Sequence, residues 1–155
     1  MSNVGANIIP YRSVWPRIAP SAYIASGSSV IGDVEMKTRS SVWFNCVVRG
    51  DVNNVKIGMH TNIQDGTIIH TSRDNGATLI GDNVVVGHKC LLHACIIEDA
   101  CMIGMGSTLM DYAVVETGAW VAAGSLVTPN KRIKKGELWI GRPAKFLRHV
   151  SSEEV

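Results

Sequence analysis

Cut every six residues, positions 79–138 read LIGDNV, VVGHKC, LLHACI, IEDACM, IGMGST, LMDYAV, VETGAW, VAAGSL, VTPNKR and IKKGEL. The hexads begin with Leu79, Val85, Leu91, Ile97, Ile103, Leu109, Val115, Val121, Val127 and Ile133. Ten aliphatic residues in succession at one spacing arise by chance on the order of once in a hundred thousand, so the chain is a repeat. A period of six does not match an amphipathic helix of period 3.6. It matches a short strand and a turn, repeated. Three hexads make an 18-residue triangular coil, and stacked coils pair as parallel strands about 4.8 Å apart. The aliphatic positions then form interior columns: Leu79, Ile97, Val115 and Ile133; Val85, Ile103 and Val121; Leu91, Leu109 and Val127.

The same register runs earlier, from Ile18 through Ile24, Val30, Met36, Val42 and Val48, and resumes three residues late at Ile57, Ile63 and Ile69. Nineteen hexads predict about six coils and a prism roughly 30 Å tall. The fifth position of a hexad is mostly small, which suits a crowded corner. Cys46, Cys95 and Cys101 share it and read as buried small hydrophobes. After Ile133 the repeat fades. Pro143 at a first turn, with Phe146, Leu147 and Val150 on one face, predicts a C-terminal helix over 142–155. The expected organisation is a single domain over 1–155: an all-β hexapeptide-repeat β-helix over 11–139, then that helix, covering exposed strand edges.

Composition bounds the function. The 155 residues are 46% hydrophobic and 18% charged, with 15 basic against 13 acidic residues, so global disorder is excluded. There is no Lys/Arg stripe of the kind that nucleic acid requires and no apolar run long enough for a membrane helix. No Sec-type leader is evident at the N-terminus. The four cysteines form neither a CxxC pair nor a disulfide-dense pattern, which makes a cytoplasmic location the expectation.

Chemistry rests on the histidines: His60, His70, His88, His93 and His149. Let the three faces be A, B and C, starting from Ile57, Ile63 and Ile69. His70 and His93 then lie near the start of face C on successive coils, and His88 lies on face B. Three neutral imidazoles leave a zinc-like ion a fourth place for water. His88 is poorly placed to join the other two within one prism, and a neighbouring subunit of a cyclic trimer can supply it instead. The alternative is three solvated histidines in an interface. His149 reads as a surface residue of the helix.

The segment RGDVNNVKIGMHTNIQDGTIIH (49–70), followed by VGHKCLLHACII (86–97) and LWIGRPAKFLR (138–148), resembles the gamma-class carbonic anhydrase family, in particular its short, ferripyochelin-binding-like members. Strand crossovers are ordinarily right-handed; the resemblance implies a left-handed parallel β-helix instead. It further implies a homotrimer with a metal site at each subunit interface, His70 and His93 coming from one subunit and His88 from its neighbour. The metal would be Zn2+, with Fe2+ or Co2+ also compatible. Arg49 and Asp51, with Asp65, would form an interface salt bridge. Gln64 and Asn62 would line the site and orient metal-bound solvent or bicarbonate, and Arg49 would add positive potential.

The implied reaction is reversible hydration of carbon dioxide to bicarbonate by hydroxide on the metal. Two departures from the best-known members imply modest turnover: Val52 stands where they carry an acidic residue, and the loop bearing their proton-shuttling glutamate is shortened to TSRDNGAT, 71–78. His60 and Asp74 are the remaining shuttle candidates. Two other classes stay open. One is a hexapeptide acyltransferase or CoA thioesterase using a single histidine as general base. The other is a non-catalytic metal-binding subunit of a larger assembly.

Overall fold

The computed structural model describes residues 4–151, 153 and 154. They form strands and turns only, arranged as a left-handed parallel β-helix. Each triangular coil contributes one strand to each face. The inward residues stack as Ile18, Met36, Ile57, Ile80, Ile97, Val115 and Ile133 on face A, and as Ile24, Val42, Ile63, Val86, Ile103, Val121 and Trp139 on face B. Face C stacks Ile8, Val30, Val48, Ile69, Leu92, Leu109 and Val127. Seven rows on each face make seven turns, one more than the hexad count predicts, because residues before Ile18 already pair. Asn7–Ile9 lies parallel against Ser29–Met36.

Three of the expected inward positions are wrong by one residue. Leu79, Val85 and Leu91 point outward, while Ile80, Val86 and Leu92 are buried. Both residues of each pair are aliphatic, so either can start a hexad, and the pattern alone cannot tell them apart. The true break falls between Leu92 and Ile97, which are five apart instead of six. The corrected register also brings Cys90 to the fifth position in place of Lys89, so all four cysteines are buried and free.

The fifth position has a second requirement besides small size. Each corner leaves a carbonyl of the next coil facing inward. The Ser28 hydroxyl donates to Trp43 O at 2.5 Å, Thr61 to Gly81 O at 2.6 Å, Thr67 to Gly87 O at 3.1 Å and Ser107 to Ala122 O at 3.1 Å. Cysteine does the same work more weakly: Cys46 Sγ lies 3.2 Å from Gln64 O, Cys90 Sγ 3.3 Å from Gly104 O and Cys101 Sγ 3.2 Å from Glu116 O. A buried acceptor is costly unless paired, so small donors recur there. The fourth position turns the corner with positive φ. It is filled by Gly66, Gly106, Gly118 and Gly124, but also by Asn45, His60, Asn83 and Tyr112. His60 is thus an exposed corner residue.

Among the described residues the expected C-terminal helix is absent. Glu137–Gly141 turns at Arg142–Pro143 and pairs antiparallel with Ala144–His149. A single helix over 142–155 is marginal without tertiary packing, and the last solenoid strand offers an unpaired ladder edge that a returning strand satisfies at once. Phe146 and Leu147 are consequently exposed rather than packed, and His149 stacks edge-on against Phe146 at 5.3 Å. Ser152 and Val155, within the expected helix, lie outside the described residues.

Candidate metal centre

Every irregularity of the repeat falls on one edge of the prism, between faces C and A. Inward residues there are ordinarily six apart. From Ile8 to Ile18 the interval is ten, from Val48 to Ile57 nine, from Ile69 to Ile80 eleven, and from Leu92 to Ile97 five. The longer segments brace each other: Asn53 Nδ2 donates to Asp74 O at 2.7 Å and to Ser72 O at 3.3 Å. This edge carries Arg49, Asp51, His70 and His93. Ile68–His70 and Leu91–His93 extend one residue further than the two-residue strands typical of the repeat, so that His70 and His93 are register partners on adjacent parallel strands.

The two imidazoles face each other, with His70 Nδ1 3.2 Å from His93 Nε2. Each ring's remaining nitrogen meets a carboxylate: His70 Nε2 lies 2.9 Å from Asp51 Oδ1, and His93 Nδ1 2.7 Å from Asp111 Oδ1. An ionised carboxylate only accepts, so those nitrogens carry the protons. The lone pairs are thereby left on His70 Nδ1 and His93 Nε2, pointing toward one place. Arg49 binds the other oxygen of Asp51. Partial desolvation alone raises the Asp51 carboxyl, but the hydrogen bonds from His70 and Arg49 outweigh it and hold the group below the usual carboxylate range.

Such a donor set suits a divalent ion. Two nitrogens each 2.0–2.1 Å from a tetrahedral metal are about 3.3 Å apart, close to the spacing of this pair. Two lone pairs that near one another repel unless a cation lies between them. A carboxylate on the far nitrogen is the usual support of a metal-bound histidine.

His88 stands on a different edge, between faces B and C, with its side chain about half exposed. It shows the same pattern, Nδ1 3.0 Å from Asp65 Oδ2, which leaves Nε2 free. Gly87 before it is forced by stacking: a Cβ there would lie 2.6 Å from the backbone nitrogen of Met105. Asn62 and Gln64 lie on face B one coil earlier. Asn62 Nδ2 donates to Ser41 Oγ at 2.8 Å, and among the described residues no partner meets the Gln64 side-chain amide. Within one copy the structure therefore brings together Arg49, Asp51, His70 and His93 on the C–A edge, and Asn62, Gln64, Asp65 and His88 on the B–C edge. Among the described residues no three metal-ligating side chains converge. Asp65 pairs with His88 in this copy, while Arg49 pairs with Asp51. Sequence reading missed Asp111; stacking the hexads as rows puts it one coil beyond His93 at the same corner.

Known proteins reproduce both the fold and the sequence. No family model matches the chain. The carbonic anhydrase of Geobacillus kaustophilus is 44% identical over 148 residues, covering 96% of this chain and 81% of its own length. The chain belongs to the gamma-class carbonic anhydrase-like family. Gamma carbonic anhydrase 2, mitochondrial, of Arabidopsis thaliana is 50% identical over 145 residues, covering 90% of this chain. The chain spans about half the length of that relative, 52%. Among solved structures, a hexapeptide transferase family protein of Anaplasma phagocytophilum superposes with a TM-score of 0.92 at 48% identity, covering 96% of this chain and 87% of that one.

Proposed function

We propose that this chain forms a carbonic anhydrase-like enzyme that holds a divalent metal between subunits of a homotrimer and reversibly hydrates carbon dioxide. The observation that carries the reading is the matched pair of edges: two histidines with convergent lone pairs on one, and a third histidine with a free Nε2 on another. A three-fold arrangement lets the C–A edge of one copy meet the B–C edge of the next. The B–C edge has a surface suited to burial, since Phe44, Ile68, Val85, Leu91, Met102 and Met105 are all exposed on or beside it. An apolar band of that kind marks an interface.

His70 and His93 of one copy and His88 of a second copy would hold the ion, of which zinc is the simplest case, with Fe2+ and Co2+ compatible. Bound there, a divalent ion supplies a nucleophile at neutral pH by acidifying a water ligand. Asp51, Asp65 and Asp111 hold the ring protons away from it. Gln64 offers an unpaired amide to orient the reacting water and bicarbonate, Asn62 stands beside it, and Arg49 adds positive potential for the anionic product. Arg49 and Asp51 with Asp65 of a second copy complete the interface charge pairing. Four unpaired cysteines suit a cytoplasmic setting.

The test is metal analysis of untagged protein purified without added zinc, together with stopped-flow carbon dioxide hydration and a CoA-ester cleavage assay. Alanine at His70, His88 or His93 is expected to remove metal and hydration together, with similar severity. Full hydration by metal-free protein overturns the reading. CoA-ester turnover that survives chelators and collapses in one histidine variant alone would favour acyl transfer instead, in keeping with the transferase name of the Anaplasma protein. Metal retained with neither activity would indicate a structural subunit.

A further inference from the structure

We infer that Asp111 is a positioning residue of the metal centre: it fixes the His93 ring with its proton on Nδ1, so that the Nε2 lone pair is aimed at the point that His70 Nδ1 also faces. This rests on the metal reading above and adds a residue to it. Three observations lead there. His93 Nδ1 and Asp111 Oδ1 are 2.7 Å apart, the shortest of the three histidine–carboxylate contacts. The Asp111 carboxylate makes no other hydrogen bond among the described residues, so its side chain has no separate structural partner there. The tight corner after Leu92 takes the chain away at Ala94, with φ 48°, directly behind His93. Among the described residues the ring's one hydrogen bond to the next coil is the one to Asp111.

An imidazole without that anchor can carry its proton on either nitrogen. Placing it on Nε2 converts the ligand atom into a donor aimed at His70 Nδ1, an arrangement that forms a direct histidine–histidine hydrogen bond and excludes the metal. Asp111 selects against that state. The C–A edge is thus held open by two carboxylates acting in parallel, Asp51 on His70 and Asp111 on His93. Tyr112, which turns the corner next to Asp111 with φ 61° and hydrogen-bonds Ala94 O through its backbone nitrogen at 2.7 Å, fixes where the carboxylate stands.

The test uses the full chain labelled with 15N-histidine, read in two ways. In metal-free protein at neutral pH, the Nδ1 of His93 is expected to report as a protonated nitrogen. In Asp111→Leu it is expected to lose that proton to Nε2, while Asp111→Asn, whose amide oxygen still accepts, keeps the parental state. In zinc titrations, Asp111→Leu is expected to weaken affinity by about 10- to 100-fold, with Asp111→Asn recovering most of it. A parental Nδ1 signal and parental zinc affinity in Asp111→Leu would overturn the inference. So would Asp111→Asn behaving no better than Asp111→Leu. The metal-free arm is independent of metal: if native protein binds no zinc, the metal reading fails while the nitrogen assignment still decides the role of Asp111. A circular dichroism melt of each variant separates these outcomes from unfolding, and an unfolded Asp111→Asn would assign the residue to the fold and overturn the proposal.

Discussion

Burial pushes the Cys95 thiol up to about 12 and the Cys101 thiol up to about 11. Both groups stay neutral in the fold at pH values where an unfolded chain would ionise them. A folded-state value raised above the unfolded one contributes stability that is complete below the unfolded value and lost as pH rises toward the folded one. Chemical denaturation midpoints should therefore fall between about pH 9 and 12, and Cys95→Ala should flatten that fall; an equally steep fall in the variant would exclude Cys95 as its source. Neither thiol should react with a thiol reagent at neutral pH while the protein is folded, because the thiolate is the reactive form. At the site, Gln64→Ala should retain metal and slow hydration on the order of 10- to 100-fold, because the reacting water loses an orienting partner without loss of a ligand. Loss of metal content in that variant would place Gln64 in the fold instead.

The coil is the unit of stability, and its centre is the inward aliphatic residue. Val121 is 1% exposed, between Ile103 and Trp139 in its column. Val121→Asp places an unpaired charge among apolar neighbours and should prevent folding, read as loss of soluble protein with a cooperative melt. A structured Val121→Asp protein would show that the column is misplaced. Most of this architecture was legible because the period of six leaves few alternatives, and the rows from Ile97 to Ile133 and from Ile24 to Ile69 stand where the hexads put them. The slip at Leu79, Val85 and Leu91 has a plain cause: Leu79–Ile80, Val85–Val86 and Leu91–Leu92 are doublets with no polar partner to mark the outward side. The helix expected over 142–155 failed because an edge strand in need of a ladder partner outweighs the weak periodicity of Phe146, Leu147 and Val150. The pairing of His70 with His93 was readable from coil spacing. Asp111 stands in the same row, 18 residues and one coil beyond His93, but their contact was not legible, because it depends on the shortened corner at Ala94.

At the scale of the molecule, the repeat is regular wherever it only has to stack, and irregular along the one edge where chemistry collects. Segments longer by four, three and five residues and a corner shorter by one all fall between faces C and A, the edge of two histidines that share no third ligand among the described residues of their own copy. His88 of a second copy is the ligand proposed to complete them. His70→Ala and His88→Ala chains, each unable to assemble a complete site alone, should be unfolded together, refolded as an equal mixture and verified as hybrid trimers before metal is measured. Random assembly joins an intact C–A edge to an intact B–C edge at about a quarter of interfaces, so about that fraction of the native metal content should return in the mixture and not in either parent. No recovered metal in verified hybrids, under conditions where refolded native protein regains its own, would contradict a site shared between subunits.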